Sequence, residues 1–274
     1  MKKAFKAIKE SLDLFKSYPL IVLPFVFYAL LEAMVLYLLF LAPQDPFAKL
    51  LAPPIRRFIG AEFVIYPLNL YKLPLLFSYA KIALSLMPGI FITAFLVGRT
   101  HSIRFGHDES RRFYFMTVFS RFFSLLFIWS LNIAVIKLLG PLFRQVISFG
   151  DSKTYLTFLQ YSFYFIAYFV QITFLYMIPL VILAKKSFLR ALITNFRYLI
   201  RLFVPTTVLI LISALFYLGI YVLETNIPRL MVNTFPEISV IVLAAGIPFT
   251  FLINVFIVMT TTVLFINEEE NDLN

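Results

Sequence analysis

The sequence predicts an all-α fold, a polytopic transmembrane helix bundle of about six spans in a single integral membrane domain, with amphipathic interfacial helices on the cytoplasmic side. Three observations predict it. Of 274 residues, 61% are hydrophobic and 14% charged, against roughly 45–50% and about 25% in soluble domains. A soluble chain of that composition lacks the polar surface to cover its core. Apolar runs recur at lengths that cross a hydrocarbon layer of ~30 Å at ~1.5 Å per helical residue. Lys and Arg gather in alternate connections between those runs.

In chain order, residues 1–17 predict an interfacial amphipathic helix. Phe5, Ile8, Leu12 and Phe15 recur at helical spacing, and Lys2, Lys6, Lys9 and Lys16 share another face interrupted by Asp13. The apolar run after it lacks a small-residue cleavage site, so it reads as an uncleaved first span rather than a signal peptide. The expected spans are 20–41, 75–97, 122–139, 156–183, 203–223 and 240–266, the third only just long enough. Backbone polar groups have no water to bond in lipid, so the runs must be helical. They are too long for strands and show no alternation.

Residues 185–202 repeat the amphipathic arrangement. Lys186, Arg190, Arg197 and Arg201 form one stripe, and Leu189, Leu192, Phe196 and Leu199 the other. Residues 267–274 read as an acidic tail. The connection from Pro43 to Leu73 is proline-rich with a basic, apolar middle, Ile55-Arg56-Arg57-Phe58-Ile59, which predicts a short interfacial helix or a lid. The openings Lys2-Lys3-Ala4-Phe5, Arg111-Arg112-Phe113-Tyr114 and Lys185-Lys186-Ser187-Phe188 suggest three hairpin units, by ancestry or by shared physics. They have no fixed period.

Lys and Arg set the orientation. Fifteen lie on one side: Lys2, Lys3, Lys6, Lys9, Lys16, Arg99, Arg104, Arg111, Arg112, Arg121, Lys185, Lys186, Arg190, Arg197 and Arg201. Seven lie on the other: Lys49, Arg56, Arg57, Lys72, Arg144, Lys153 and Arg229. The positive-inside rule places the first side, with both termini, in the cytoplasm of a multi-pass cell-membrane protein. The net charge of +10 flanks apolar runs, so the expected partners are the lipid bilayer and its anionic headgroups, not nucleic acid. Lys186, Arg190, Arg197 and Arg201 are the candidates for docking lipid, a cytoplasmic ATPase or another membrane subunit.

Six intramembrane polar residues are candidate sites: Glu32, Lys81, Tyr164, Tyr168, Gln171 and Asn254. An ionised group at mid-membrane costs roughly 3 kcal/mol or more, so it pairs or meets water. Glu32 and Lys81 approach one depth from the first hairpin, as a register-fixing pair, as a protonated Glu32 with Lys81 snorkelling outward, or as a proton or ion relay. Lys137, near the end of its run, snorkels to the interface. Thr157, Tyr161, Tyr164, Tyr168 and Gln171 fall on one face of the fourth run. Thr206, Ser213, Tyr217 and Tyr221 mark the fifth, and Thr250, Asn254 and Thr261 the sixth. Such stripes act as interhelical hydrogen bonds or line a cavity. Pro24, Pro88-Gly89, Pro179, Pro205 and Gly246-Ile247-Pro248 are expected to interrupt or cap runs, as helix breaks do at transporter sites.

Other chemistries are missing. The absence of cysteine excludes disulfides, thiolate metal sites and cysteine nucleophiles. Two histidines exist, His101 and His107; His107-Asp108-Glu109 has no second cluster to complete a metal site. There is no H-E-x-x-H, G-x-S-x-G, P-loop or dinucleotide fingerprint. No catalytic residue, cofactor or metal is expected, and the chain does not read as an enzyme.

The Lys-Lys-Ala-Phe-Lys opening leading to Pro19 and Pro24, and Arg190-Ala191-Leu192 through Arg201 leading to Pro205, give a plan that resembles a loose group of prokaryotic six-span membrane proteins of unknown function. The group includes membrane domains attached to some glycerophosphodiester phosphodiesterases. The resemblance implies a layout and no functional residues, and this sequence contains no phosphodiesterase catalytic domain to carry that activity. The expected role is transport-related, as a permease subunit or small carrier or channel. The alternative is a non-catalytic membrane scaffold or assembly factor.

Overall fold

The computed structural model describes residues 2–106, 111–147 and 152–273. The described residues form helices and connections, with no strand among them. In order these are α1 (Lys2–Ser17), α2 (Leu23–Leu41), α3 (Phe47–Leu50), α4 (Ala52–Ile59), α5 (Leu68–Leu84), α6 (Ile90–Phe105) and α7 (Arg111–Ser120). There follow α8 (Phe122–Ile147), α9 (Lys153–Thr173), α10 (Met177–Ile182), α11 (Phe188–Arg201), α12 (Phe203–Thr225), α13 (Ile227–Asn233) and α14 (Ile238–Leu273).

Among the described residues, five stretches are long and apolar enough to cross a membrane: Pro19–Leu41, Leu68–Phe105, Phe122–Leu139, Phe203–Thr225 and Ile238–Asn271. Between 11% and 39% of each apolar window is buried. Most of that surface therefore faces outward, and an apolar girdle of this extent requires lipid. The chain is an all-α membrane protein.

The span count differs from the expected six. The run 156–183 is broken at residues 174–176 into α9 and α10. Pro179 has no N–H to donate to the Leu175 carbonyl, and its ring crowds that carbonyl, which favours a break here. Tyr155, Gln160, Tyr161 and Tyr164 also make α9 less apolar than the five spans. The other prolines act differently from one another. Pro24 and Pro205 sit in the first turns of α2 and α12, where no intrahelical donor is needed. Pro88 lies in a π-turn, Ser85–Gly89, inside the Leu68–Phe105 span. Pro248 interrupts nothing, because α14 runs through it unbroken. The expected break at Gly246-Ile247-Pro248 is absent.

The chain divides into two compact units. The first comprises Met1–Val22, Ile90–Ala214 and Phe256–Asn274. Its core is built around α10, whose six residues are all buried. A helix apolar on every side is stable only when surrounded, and α6, α8 and α11 pack on it. Val263, Leu264, Phe265 and Ile266 of α14 complete this core.

The two amphipathic helices belong to the first unit. Helix α1 buries Ala4, Ala7 and Ser11 and leaves Phe5, Leu12 and Phe15 exposed. Helix α11 buries Ala191 and Asn195. Its expected apolar stripe splits: Leu192 and Leu199 pack on the core, while Leu189 and Phe196 join Ile193 and Ile200 in an exposed row. Residues 267–273 are not a free tail. They continue α14 as helix, with Glu268 buried.

The second unit comprises Leu23–Gly89 and Leu215–Val255. Here α2 packs on α5, and Leu36, Leu70, Leu73 and Phe77 form a core with Ile227, Met231, Leu243 and Ile247. The connection between α2 and α5 folds as α3, α4 and a 3-10 turn, Ala61–Val64, anchored by the buried Ala52 and Phe63. Residues 55–59 lie in α4, the short helix that the basic, apolar middle of this connection predicts.

Candidate functional site

The second unit gathers three ionisable groups and a phenol from three helices. Tyr28 and Glu32 lie one turn apart on α2, Phe77 and Lys81 one turn apart on α5, and Glu224 lies near the end of α12. One helical turn stacks such pairs on a common face. Glu32 is 7% exposed, one helical turn from Tyr28. Lys81 Nζ lies 3.7 Å from Glu224 Oε1 and 5.0 Å from the centre of the Phe77 ring. Lys81 and Glu224 both act electrostatically on Glu32.

Small residues shape the surroundings. A Cβ at Gly246 of α14 would lie 3.5 Å from Glu224 Oε1 and from Ile220 Cγ2. One at Gly89, the last residue of the π-turn, would lie 3.5 Å from Tyr28 Cε2. A π-turn is an insertion into a helix and is over-represented at functional sites.

The charges do not balance. Two carboxylates face one ammonium, so the fully ionised cluster carries one uncompensated negative charge in an apolar setting, where such a charge is costly. Binding one proton removes the imbalance. Glu32 and Lys81 are thus brought into one cluster, as their depth suggests, but the ion pair is Lys81–Glu224. Sequence reasoning missed Glu224 because it stands immediately after the 203–223 run. An acidic residue at the end of a span, facing a lysine inside another, was the available signal.

Several of the remaining polar candidates form bonds within or between helices. Tyr164 of α9 donates to the Ala214 carbonyl of α12 at 2.9 Å, and Tyr217 donates to Asn254 Oδ1 at 2.9 Å. Tyr176 and Thr206 share a buried hydroxyl–hydroxyl bond of 2.7 Å. Ser213, Thr250 and Thr261 bond carbonyls of their own helices. The side chains of Tyr168 and Gln171 lie outside the described residues, as does His107-Asp108-Glu109. Among the described residues, no three His, Cys, Asp or Glu side chains gather to hold a metal.

No protein-family model, curated protein or solved structure matches this chain. Its function has to be read from its own side chains.

A second charged assembly lies in the first unit. The Glu268 side chain is 2% exposed and receives Lys3 Nζ at 2.8 Å and Arg201 Nε at 2.5 Å. Beside it, Glu10 accepts from Arg104 Nη1 and Asn267 Nδ2, each at 3.0 Å. Arg104 also donates to Asn267 Oδ1 and, at 3.2 Å, to Glu270. Elements α1, α6, α11 and α14 are thereby tied together. Of the four docking candidates, Arg201 is held by Glu268 and Lys186 bonds Thr194 Oγ1 at 3.3 Å. Arg190 and Arg197 are exposed.

Proposed function

We propose that this chain is a membrane transport component, a permease subunit or a small carrier or channel, whose Tyr28–Glu32–Lys81–Glu224 cluster takes up and releases a proton. In this reading the protein is multi-pass in the cell membrane, with both termini and the basic helices in the cytoplasm. It carries no catalytic group. One observation supports the reading: a buried carboxylate, Glu32, stands beside a lysine already paired with a second carboxylate. Groups of this kind inside a span mark ion and proton paths. The Gly89 backbone close to Tyr28 and the Gly246 backbone close to Glu224 leave room for small movements of both side chains.

The test is proton flux into liposomes holding the purified chain and a trapped pH dye, driven by a potassium diffusion potential. The wild type is expected to pass protons, and Glu32→Gln to lose that flux while keeping its thermal stability. Equal flux in both, or none in the wild type, overturns the reading.

A second reading, a non-catalytic scaffold or assembly factor, rests on different observations. The Tyr164–Ala214, Tyr176–Thr206 and Tyr217–Asn254 bonds commit polar groups to helix contacts rather than to a path. Each such bond stabilises a membrane bundle by about 1 kcal/mol. In that case Glu32→Gln and Asn254→Leu alter stability and no flux.

A further inference from the structure

Helices α1 and α11 share a construction that neither transport nor scaffolding requires. Around each, at ~100° per residue, three faces follow in the same rotational order. On α1 these are the buried Ala4, Ala7 and Ser11, then the exposed Phe5 and Leu12, then Lys6 and Lys9 with the exposed Asp13 between them. On α11 they are the buried Ala191 and Asn195, then the exposed Leu189, Ile193, Phe196 and Ile200, then Arg190 and Arg197. Each apolar face thus lies between the protein body and a predominantly basic row.

Both helices also converge on one carboxylate. Lys3 of α1 and Arg201 of α11 reach Glu268, near the end of the Ile238–Asn271 span. Their exposed faces therefore occupy the same end of that span. A single flat layer, apolar on one side and anionic at its boundary, meets both helices in the same order. That layer is the boundary of a bilayer containing acidic phospholipid.

We propose that α1 and α11 lie in the headgroup plane as a collar that retains anionic phospholipid. Lys6, Lys9, Arg190 and Arg197 meet the phosphates, and Phe5, Leu12, Ile193 and Ile200 enter the acyl boundary.

The absence of cysteine makes the test direct. Leu12→Cys and Ile193→Cys, each carrying an environment-sensitive fluorophore, are reconstituted as full chains in phosphatidylcholine vesicles with or without phosphatidylglycerol. Both labels are expected to be quenched by lipid brominated near the top of its acyl chains, and little by aqueous iodide. Native mass spectrometry of unlabelled chain extracted from the mixed vesicles is expected to show phosphatidylglycerol enriched over phosphatidylcholine. The Arg190→Gln, Arg197→Gln double variant, altered only at exposed positions, should lose that enrichment by about tenfold or more. Quenching by iodide alone overturns the proposal. So does protection from both quenchers, which means a protein covers the row. Unchanged enrichment in the double variant overturns it as well.

Discussion

Lys81 is bound to Glu224 across α5 and α12, its ammonium nitrogen 3.7 Å from the carboxylate oxygen. That leaves Glu32 buried on α2, one helical turn from Tyr28. The arrangement fixes which of the two carboxylates holds the lysine.

A double-mutant cycle measures the pair. Lys81→Gln and Glu224→Gln are each expected to lower the thermal midpoint, and the double variant to recover part of the loss. Both side chains are about one-third exposed, so the coupling should be about 0.5–1 kcal/mol. Strict additivity in the cycle would mean that the two side chains do not stabilise one another.

Gly246 separates α14 from the Glu224 carboxylate. Its alanine variant adds a methyl at ordinary contact distance and gains helix propensity of up to ~1 kcal/mol, so unfolding should shift upward or not at all. Gly246→Phe has no such room. It should displace Glu224 and destabilise the chain by about 1–3 kcal/mol, measured by thermal unfolding in detergent.

Glu268→Gln removes the charge that Lys3 and Arg201 share. Both cations are about half exposed, so water replaces part of what is lost and the cost should be about 1–2 kcal/mol. Loosening of α1 should follow, seen as faster proteolysis after Lys2, Lys3 or Lys6. Unaltered proteolysis and stability reduce the clamp to a surface contact.

Tyr66 donates to Glu237 Oε1 at 2.9 Å. That bond raises the phenol above its ordinary value, because ionisation would destroy the donor and place two negative charges together. The folded state thus holds the proton more tightly than the unfolded one. The contribution is complete below about pH 10, the unfolded value, and is lost as pH rises through the higher folded value. Ultraviolet difference titration of wild type against Tyr66→Phe should show this phenol ionising late. Glu237→Gln should return it to the ordinary range.

The helical membrane class was legible because apolar length and backbone hydrogen bonding leave no alternative in lipid. The fate of 156–183 was less legible. Pro179 was visible, but a proline ends one helix and is tolerated by another, as Pro248 shows within α14, and only the packing around α10 separates the cases. The apolar stripe of α11 was misplaced by one position at Leu192 and Leu199. Core and lipid are both apolar, so periodicity marks the non-polar sector without dividing it. Glu32 and Lys81 stood out as charges inside runs, whereas Glu224 was hidden by a boundary drawn one residue before it. The clasp on Glu268 had no sequence signal beyond opposite charges far apart along the chain.

That clasp also bears on biogenesis. Lys3 and Glu268 are 265 residues apart, and a ribosome adding ~5–20 residues per second separates their appearance by tens of seconds. Through that interval α1 has its cation but no Glu268 to fasten it, and α11, made later, waits for the shorter remainder. The clasp itself closes only when the fourteenth helix has been made, so its closure reports that the Ile238–Asn271 span is in place.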